Sequence, residues 1–298
     1  MFLRIYQNLF LHFLITHFSS RSFFKFFLQK KSSYLKLQKP YYILSFDLDY
    51  SRDVLAIPEV LKILRKYSII ASFACIGRWV EKYPNIHKKI LEEGHEIINH
   101  TYSHYDNDEL GTTKSFNYLS FKEKYKEIEK FHITSKKILN YEPLGFRIPH
   151  FGRAYTKDIY DILKELNYTY SSSTVDINTP SKFGVPYKER KTGIIEIPLG
   201  CSSKFPFCIF DSWSSRSGHQ PLFSNDEEFI KEFYQTINIL KKIKSLLVHY
   251  FDPFDIIQNN KLDRMCQYLK SQNIQTLTCR ELLTKIVPVF NGKSKERV

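Results

Sequence analysis

From Tyr41 onward the chain alternates short apolar runs with stretches whose apolar residues recur every three or four positions. Residues 41–46 (YYILSF) read as a buried strand, and a helix opened by Pro58 is expected over 57–67. Residues 69–75 predict a second strand, 85–93 a helix stopped by Gly94, and 96–99 (EIIN) a third strand. A long charged helix is expected over 121–139, then a strand at 144–147, a helix at 156–166 and a strand at 168–171. Residues 194–197 look extended. Phe229, Ile230, Phe233, Ile237 and Leu240 place a helical stripe within 226–243, and 246–248 is again a strand. Helix, strand and helix signals continue to about Ile286.

Strand–helix units repeated at this length predict a parallel sheet with helices outside. The absence of an obvious break favours a single catalytic domain, an α/β fold forming a distorted parallel (β/α) barrel of about seven strands. That domain is expected over residues 40–289, behind an N-terminal segment (1–39) and ahead of a polar tail (290–298). Residues 178–221, rich in Pro, Gly and Ser, predict loops over one face.

Charge changes the picture mainly at one end. The 298 residues carry a net +13, but residues 1–39 hold seven Lys or Arg and no acid. Removing those seven leaves +6 for the remainder, so no nucleic-acid partner is expected. Phe2, Leu9, Phe10, Phe13, Phe23, Phe24, Phe26 and Phe27, interleaved with Lys and Arg, suit a helix lying on an anionic membrane surface. They equally suit a helix packed on the domain, and both readings stay open. The run 9–18 (LFLHFLITHF) falls short of the ~20 apolar residues a span needs. No clear secretory signal is seen. Five cysteines without a CxxC pair indicate neither a zinc ribbon nor a disulfide framework. A cytoplasmic location is expected, free or peripheral at the membrane, with secretion left open.

In parallel α/β folds chemistry collects at the carboxyl ends of strands. Asp47, Asp49, His100, Arg147 and His249 all fall at such ends. In His100-Thr101-Tyr102-Ser103-His104 the two imidazoles face one side if the segment turns helically, so both can bind one metal. Alone they are equally two polar loop histidines, and Asp47 and Asp49 are equally a turn or capping signal. Together, one carboxylate and two imidazoles make a facial set for Zn²⁺ or a similar divalent metal, with positions left for water and a substrate carbonyl.

These residues carry a family resemblance. With its acids in SFDLDY, its HTYSH, its Arg147-Ile148-Pro149 and its Leu246-Leu247-Val248-His249, the chain resembles polysaccharide deacetylases of the NodB-homology type, carbohydrate esterase family 4. The motifs follow the family's order from about Tyr41 to Asp252. The resemblance implies a divalent metal, Zn²⁺, on Asp49, His100 and His104, with Asp47 as general base held ionised by Arg147. It implies an oxyanion held by the metal and a backbone N–H near His150, and His249 as the acid that protonates the departing amine. Pro149, His150, Phe151, Asp211 and Trp213 would bind substrate, an N-acetylated glycan or lipid-linked sugar.

The match is incomplete. Leu48 separates the two acids, as in a branch of the family that resembles peptidoglycan- and allantoinase-like deacetylases, which leaves open which Asp ligates. His150 stands where an aromatic residue is common, and the fourth motif has two candidates, Asp211-Ser212-Trp213 and Asp176. Two other functions stay in view: hydrolysis of a small amide or ureide at the same metal site, and a non-catalytic binder of glycan or membrane.

Overall fold

The structure, a computed structural model, describes residues 19–151, 155–176, 184–212 and 222–293. In chain order the elements are α1 (Ser20–Leu35), β1 (Tyr41–Leu48), α2 (Ser51–Tyr67), β2 (Ser72–Cys75), α3 (Gly77–Lys82), α4 (Pro84–Glu92), β3 (Glu96–Asn99) and α5 (Phe121–Leu139). There follow β4 (Gly145–Phe146), α6 (Ile159–Glu165), β5 (Tyr170–Ser171), β6 (Tyr187–Lys188) and β7 (Ile195–Glu196). The last elements are α7 (Asp226–Ile243), β8 (Leu246–Phe251), α8 (Pro253–Ile257), α9 (Lys261–Ser271), β9 (Gln275–Thr276) and α10 (Cys279–Lys293).

One sheet runs in the order β6-β7-β5-β4-β3-β2-β1-β8, with β9 added to β1. Every pairing is parallel except β6 with β7. The sheet is the curled, distorted barrel that the strand–helix repeat predicts, and its path from β7 to β8 includes seven parallel strands. It closes sparely. The Gly200 N–H donates to the Val248 carbonyl at 2.7 Å, bridging the segment beyond β7 to β8.

Strands at the centre of such a sheet are buried on both faces, so their runs are continuously apolar. All eight residues of β1 are buried. Alternation along the strand sends Leu44, Phe46 and Leu48 outward into the layer beneath the helices, and Ile43 inward with Ala74, Ile98 and Val248. The inward positions then turn polar toward the carboxyl end, at Ser45 and Asp47. Local chemistry also fixes the helices. Ser120 caps α5 reciprocally with Glu123, and Asn225 accepts the Glu228 N–H at the start of α7.

Boundaries differ from expectation at α2, β8 and α10, and by up to three residues at several other elements, β2 and α6 among them. α2 begins at Ser51 and carries Pro58 inside rather than at its start, because Asp53 Oδ2 accepts the Tyr50 N–H (3.0 Å) and caps the helix earlier. β8 continues to Phe251, and α10 runs to Lys293, into the tail expected from residue 290.

The basic aromatic segment is described from residue 19, and residues 1–18 lie outside the described residues. α1 packs on the barrel, burying Phe24, Phe27, Leu28, Lys31 and Leu35. Lys31 Nζ reaches Asp176 Oδ1 at 3.1 Å in a fully buried pair. The Ser245 hydroxyl donates to the Leu28 carbonyl. Of the two readings left open, the described part of the segment adopts packing on the domain. Among the described residues no helix is long and apolar enough to cross a membrane.

Candidate metal centre and active site

Strand alternation assembles the site. Ser45 and Asp47 on β1 face the barrel interior, and so does Arg147, immediately after β4. Arg147 is completely buried. Its Nη1 donates to Asp47 Oδ1 (2.6 Å) and to the Ser45 hydroxyl (2.9 Å), while Nε and Nη2 reach the Ser172 carbonyl and hydroxyl. Burial works against the guanidinium's charge, but Asp47 beside it raises its pKa further still.

Asp49 follows β1, and its backbone is pinned: its carbonyl accepts from Trp79 Nε1 (3.1 Å) and Asn107 Nδ2 (2.8 Å). His100 follows β3. Its Nδ1 donates to the Arg147 carbonyl at 2.8 Å, so Nε2 carries the lone pair that faces Asp49. The chain from His100 to His104 is not helical as expected. It is a loop with Thr101 and His104 at positive φ (66° and 45°), stabilised by the His104 N–H donating to Thr101 Oγ1 and the Thr101 N–H to Asn99 Oδ1. The loop nonetheless brings the two rings to 4.9 Å.

Nε2 of His100 and of His104 lie 3.3 and 3.2 Å from Asp49 Oδ1. Asp49 Oδ1 and both ring nitrogens of His104 are buried, yet none makes a hydrogen bond. Buried polar atoms without partners cost free energy, and a cation at their centre would satisfy them. Donor atoms of the three residues all lie within 4.8 Å of one another, the only such His, Cys, Asp and Glu group among the described residues. The set fits a divalent metal. Burial tends to raise the Asp49 pKa, but His104 and His100 hold it well below the usual carboxylate range. Asp47 Oδ2 stands 3.9 Å from His100 Nε2, beside the ligands and paired with Arg147.

The residues expected to bind substrate divide. Phe151 lies against Tyr250 (ring centroids 4.6 Å), and the Tyr250 hydroxyl donates to Asp211 at 2.9 Å. His150 is exposed at the rim, 4.9 Å from the His104 ring, and Pro149 is buried behind it. Trp213 lies outside the described residues. Asp176, the other candidate for the fourth motif, is instead the ion-pair partner of Lys31.

His249 requires a correction. Because β8 extends to Phe251, His249 is within the strand rather than at its end, and alternation turns it to the outer face with Leu247 and Phe251. There its Nε2 donates to the Cys201 carbonyl (3.2 Å) and its Nδ1 accepts from the Tyr42 hydroxyl (3.1 Å), under the ring of Phe210. Burial pushes its pKa down to about 3, and both ring nitrogens are engaged away from the barrel interior. The inward residues at this end of β8 are Tyr250 and, just beyond it, Asp252, neither of which the sequence reading selected. Burial, with Asp53 and Asp49 nearby, raises the Asp252 pKa well above the carboxylate range.

His249→Gln is expected to leave catalysis within about threefold of wild type. It also removes one source of acid sensitivity. The unfolded chain protonates this histidine near pH 6.5 and the folded chain only near 3, so stability is lost as pH falls through that window. The contribution is about 2 kcal/mol between pH 7 and pH 5. Urea midpoints at both pH values, compared between wild type and variant, measure it.

Residues 35–171 match the family described as polysaccharide deacetylase. The match covers just under half of the chain, and that segment resembles the family. The matched segment contains Asp47, Asp49, His100, His104 and Arg147, and ends before β8. The chain is 49% identical over 47 residues to a peptidoglycan-N-acetylglucosamine deacetylase of Bacillus cereus; the match covers 16% of this chain and spans 17% of that relative's length. In solved structures, a candidate polysaccharide deacetylase from Mycobacterium smegmatis shares the fold with a TM-score of 0.67 at 16% identity, covering 84% of this chain and 91% of that one. Puue allantoinase shares it with a TM-score of 0.64 at 11% identity, over 82% and 89% of the two chains. At these identities the likeness is one of fold.

Proposed function

We propose that the protein is a metal-dependent hydrolase that removes the N-acetyl group from an amino sugar of a cell-envelope glycan. The observation that carries this reading is the unsatisfied Asp49, His100 and His104 set beside a carboxylate locked to a buried arginine. The Bacillus cereus relative supports the choice of an N-acetylated glycan as substrate. Asp49, His100 and His104 would hold the metal, and two nitrogens with one carboxylate oxygen suit Zn²⁺. When bound, the metal supplies Lewis acidity toward the acyl group.

The chain's own residues do the rest. Asp47 accepts a proton from the attacking water, its carboxylate held in place by Arg147. The Arg147 contacts to Ser45 and Ser172 hold that pair in one orientation, so the base needs no rearrangement during the reaction.

The test is acetate release from N-acetylglucosamine oligomers and peptidoglycan fragments by the protein stripped of metal and then reloaded with zinc. Acetate should appear only after reloading. Glycan binding without acetate release at any metal loading would replace the hydrolase with a binder.

A further inference from the structure

Four consecutive hydroxyl side chains, Ser171-Ser172-Ser173-Thr174, are buried where β5 ends. The site described above uses one of them, Ser172. Buried hydroxyls and backbone groups need partners, and the partners of this segment lead to Glu196 on β7. β5 and β7 pair in parallel with Ser171 level with Glu196, and the Glu196 side chain reaches the residues just beyond. Its Oε1 accepts the Ser173 N–H (2.7 Å), the Thr174 N–H (2.8 Å) and the Thr174 hydroxyl (3.0 Å). Its Oε2 accepts the Tyr160 hydroxyl of α6 at 3.0 Å. Glu196 is completely buried, so three donors converge on one oxygen that water does not replace.

The bend that Glu196 gathers is the one on which the base's partner rests. The Ser172 carbonyl accepts from Arg147 Nε (3.3 Å), and the Ser172 hydroxyl accepts from Nη2 (3.2 Å). The Ser173 hydroxyl accepts the N–H of Ile148, the residue after Arg147, at 2.9 Å. Two neighbouring residues of one bend therefore hold both the side chain of Arg147 and its main chain. Arg147 in turn holds Asp47 at 2.6 Å. A shift of the bend is passed on to the guanidinium and then to the carboxylate.

We propose that Glu196 is a positioning residue for the general base: through the Ser172–Thr174 bend it sets where Arg147, and so Asp47, stands. This rests on the deacetylase reading above. The hydrogen bonds of Glu196 go to the bend and to Tyr160, none to Asp49, His100 or His104. Its loss therefore reaches the rate through Asp47 and leaves the metal ligands in place. Displacing a reacting group by about 1 Å costs on the order of 100-fold in rate, so an indirect support of this kind has a measurable effect.

The experiment follows acetate release from an N-acetylglucosamine oligomer by zinc-loaded full-length protein, with zinc affinity measured alongside. Glu196→Ala should lower kcat about 30-fold, with KM within about twofold and zinc affinity unchanged. Glu196→Gln keeps an oxygen for the three donors and offers an N–H that the Tyr160 hydroxyl can accept, so it should return to within about threefold of wild type. Ser172→Ala removes one bond to Arg147 and should cost about tenfold by itself. Because both residues act through one guanidinium, the double variant should be no slower than Glu196→Ala. Independent damage to the fold would instead multiply the two losses, to about 300-fold. Where Glu196→Ala does not fold, Glu196→Asp, which withdraws both oxygens by one methylene, takes its place in the cycle. Three results overturn the proposal: a Glu196 variant as fast as wild type, losses that multiply, or zinc lost in step with activity. A wild type that releases no acetate would instead remove the deacetylase reading, and the proposal with it.

Discussion

Asp47→Asn is expected to lower acetate release by about 10³- to 10⁴-fold while leaving the zinc affinity nearly unchanged. The separation of the two effects comes from the geometry. Asp47 Oδ2 approaches His100 Nε2 only to 3.9 Å, whereas Asp49 Oδ1 lies 3.3 and 3.2 Å from the two imidazoles. Asp49 is therefore the carboxylate placed to complete a ligand set, and Asp47 the one placed beside it. An amide at position 47 keeps the shape and can still accept a hydrogen bond from Arg147. It cannot take a proton from water. It also leaves the guanidinium buried without a countercharge, which destabilises the fold by several kcal/mol when no other anion compensates. Rates should accordingly be measured well below the variant's melting temperature, with zinc content determined on the same sample. A large loss of zinc along with activity would reverse the roles of the two acids, the point at which Leu48 between them made the family pattern ambiguous.

Much of this site was legible in the sequence because barrel strands advertise their ends. Asp47, His100 and Arg147 each close an apolar run, and an apolar run that ends in a charged or imidazole side chain predicts a group at the barrel mouth. Helices were legible where pattern and cap agreed. α5 and α7 have the expected bounds because Ser120 with Glu123, and Asn225 with Glu228, mark starts that the apolar period also supports. α2 was misjudged because Pro58 is a stronger punctuation mark than the Asp53 cap that starts the helix. The error with the largest chemical consequence was one of parity. In LLVHYFD, stopping the strand at Val248 made His249 look terminal. Extending it to Phe251 sorts the segment into Leu247, His249 and Phe251 on one face and Val248, Tyr250 and Asp252 on the other. That alternation was available in the sequence, and Pro253 as the first residue of α8 marked the true end. The Lys31–Asp176 pair was not available: its partners are 145 residues apart, and no local pattern announces such a contact.

His104→Ala is expected to abolish zinc binding in the working range, and with it acetate release. It removes one of the three residues proposed to hold the metal, and losing even an outer-shell partner typically costs about 10- to 100-fold in affinity. The stability readout makes the result decisive. Zinc that binds only the folded protein stabilises it by about 2.7 kcal/mol at a hundredfold excess over Kd, so the wild type should melt higher as zinc is added. The variant should show no zinc-dependent shift. Its metal-free form should lose less stability than an ordinary buried large-to-small change, because His104 occupies the core with both ring nitrogens unbonded. Removing the ring creates a cavity, but it also removes a desolvation cost that in the metal-free site only the neighbouring Asp49 partly offsets. A His104→Ala protein that still shifts upward with zinc would place the metal elsewhere. A metal-free variant destabilised as severely as one lacking a packed, hydrogen-bonded side chain would show that His104 holds the loop rather than the ion.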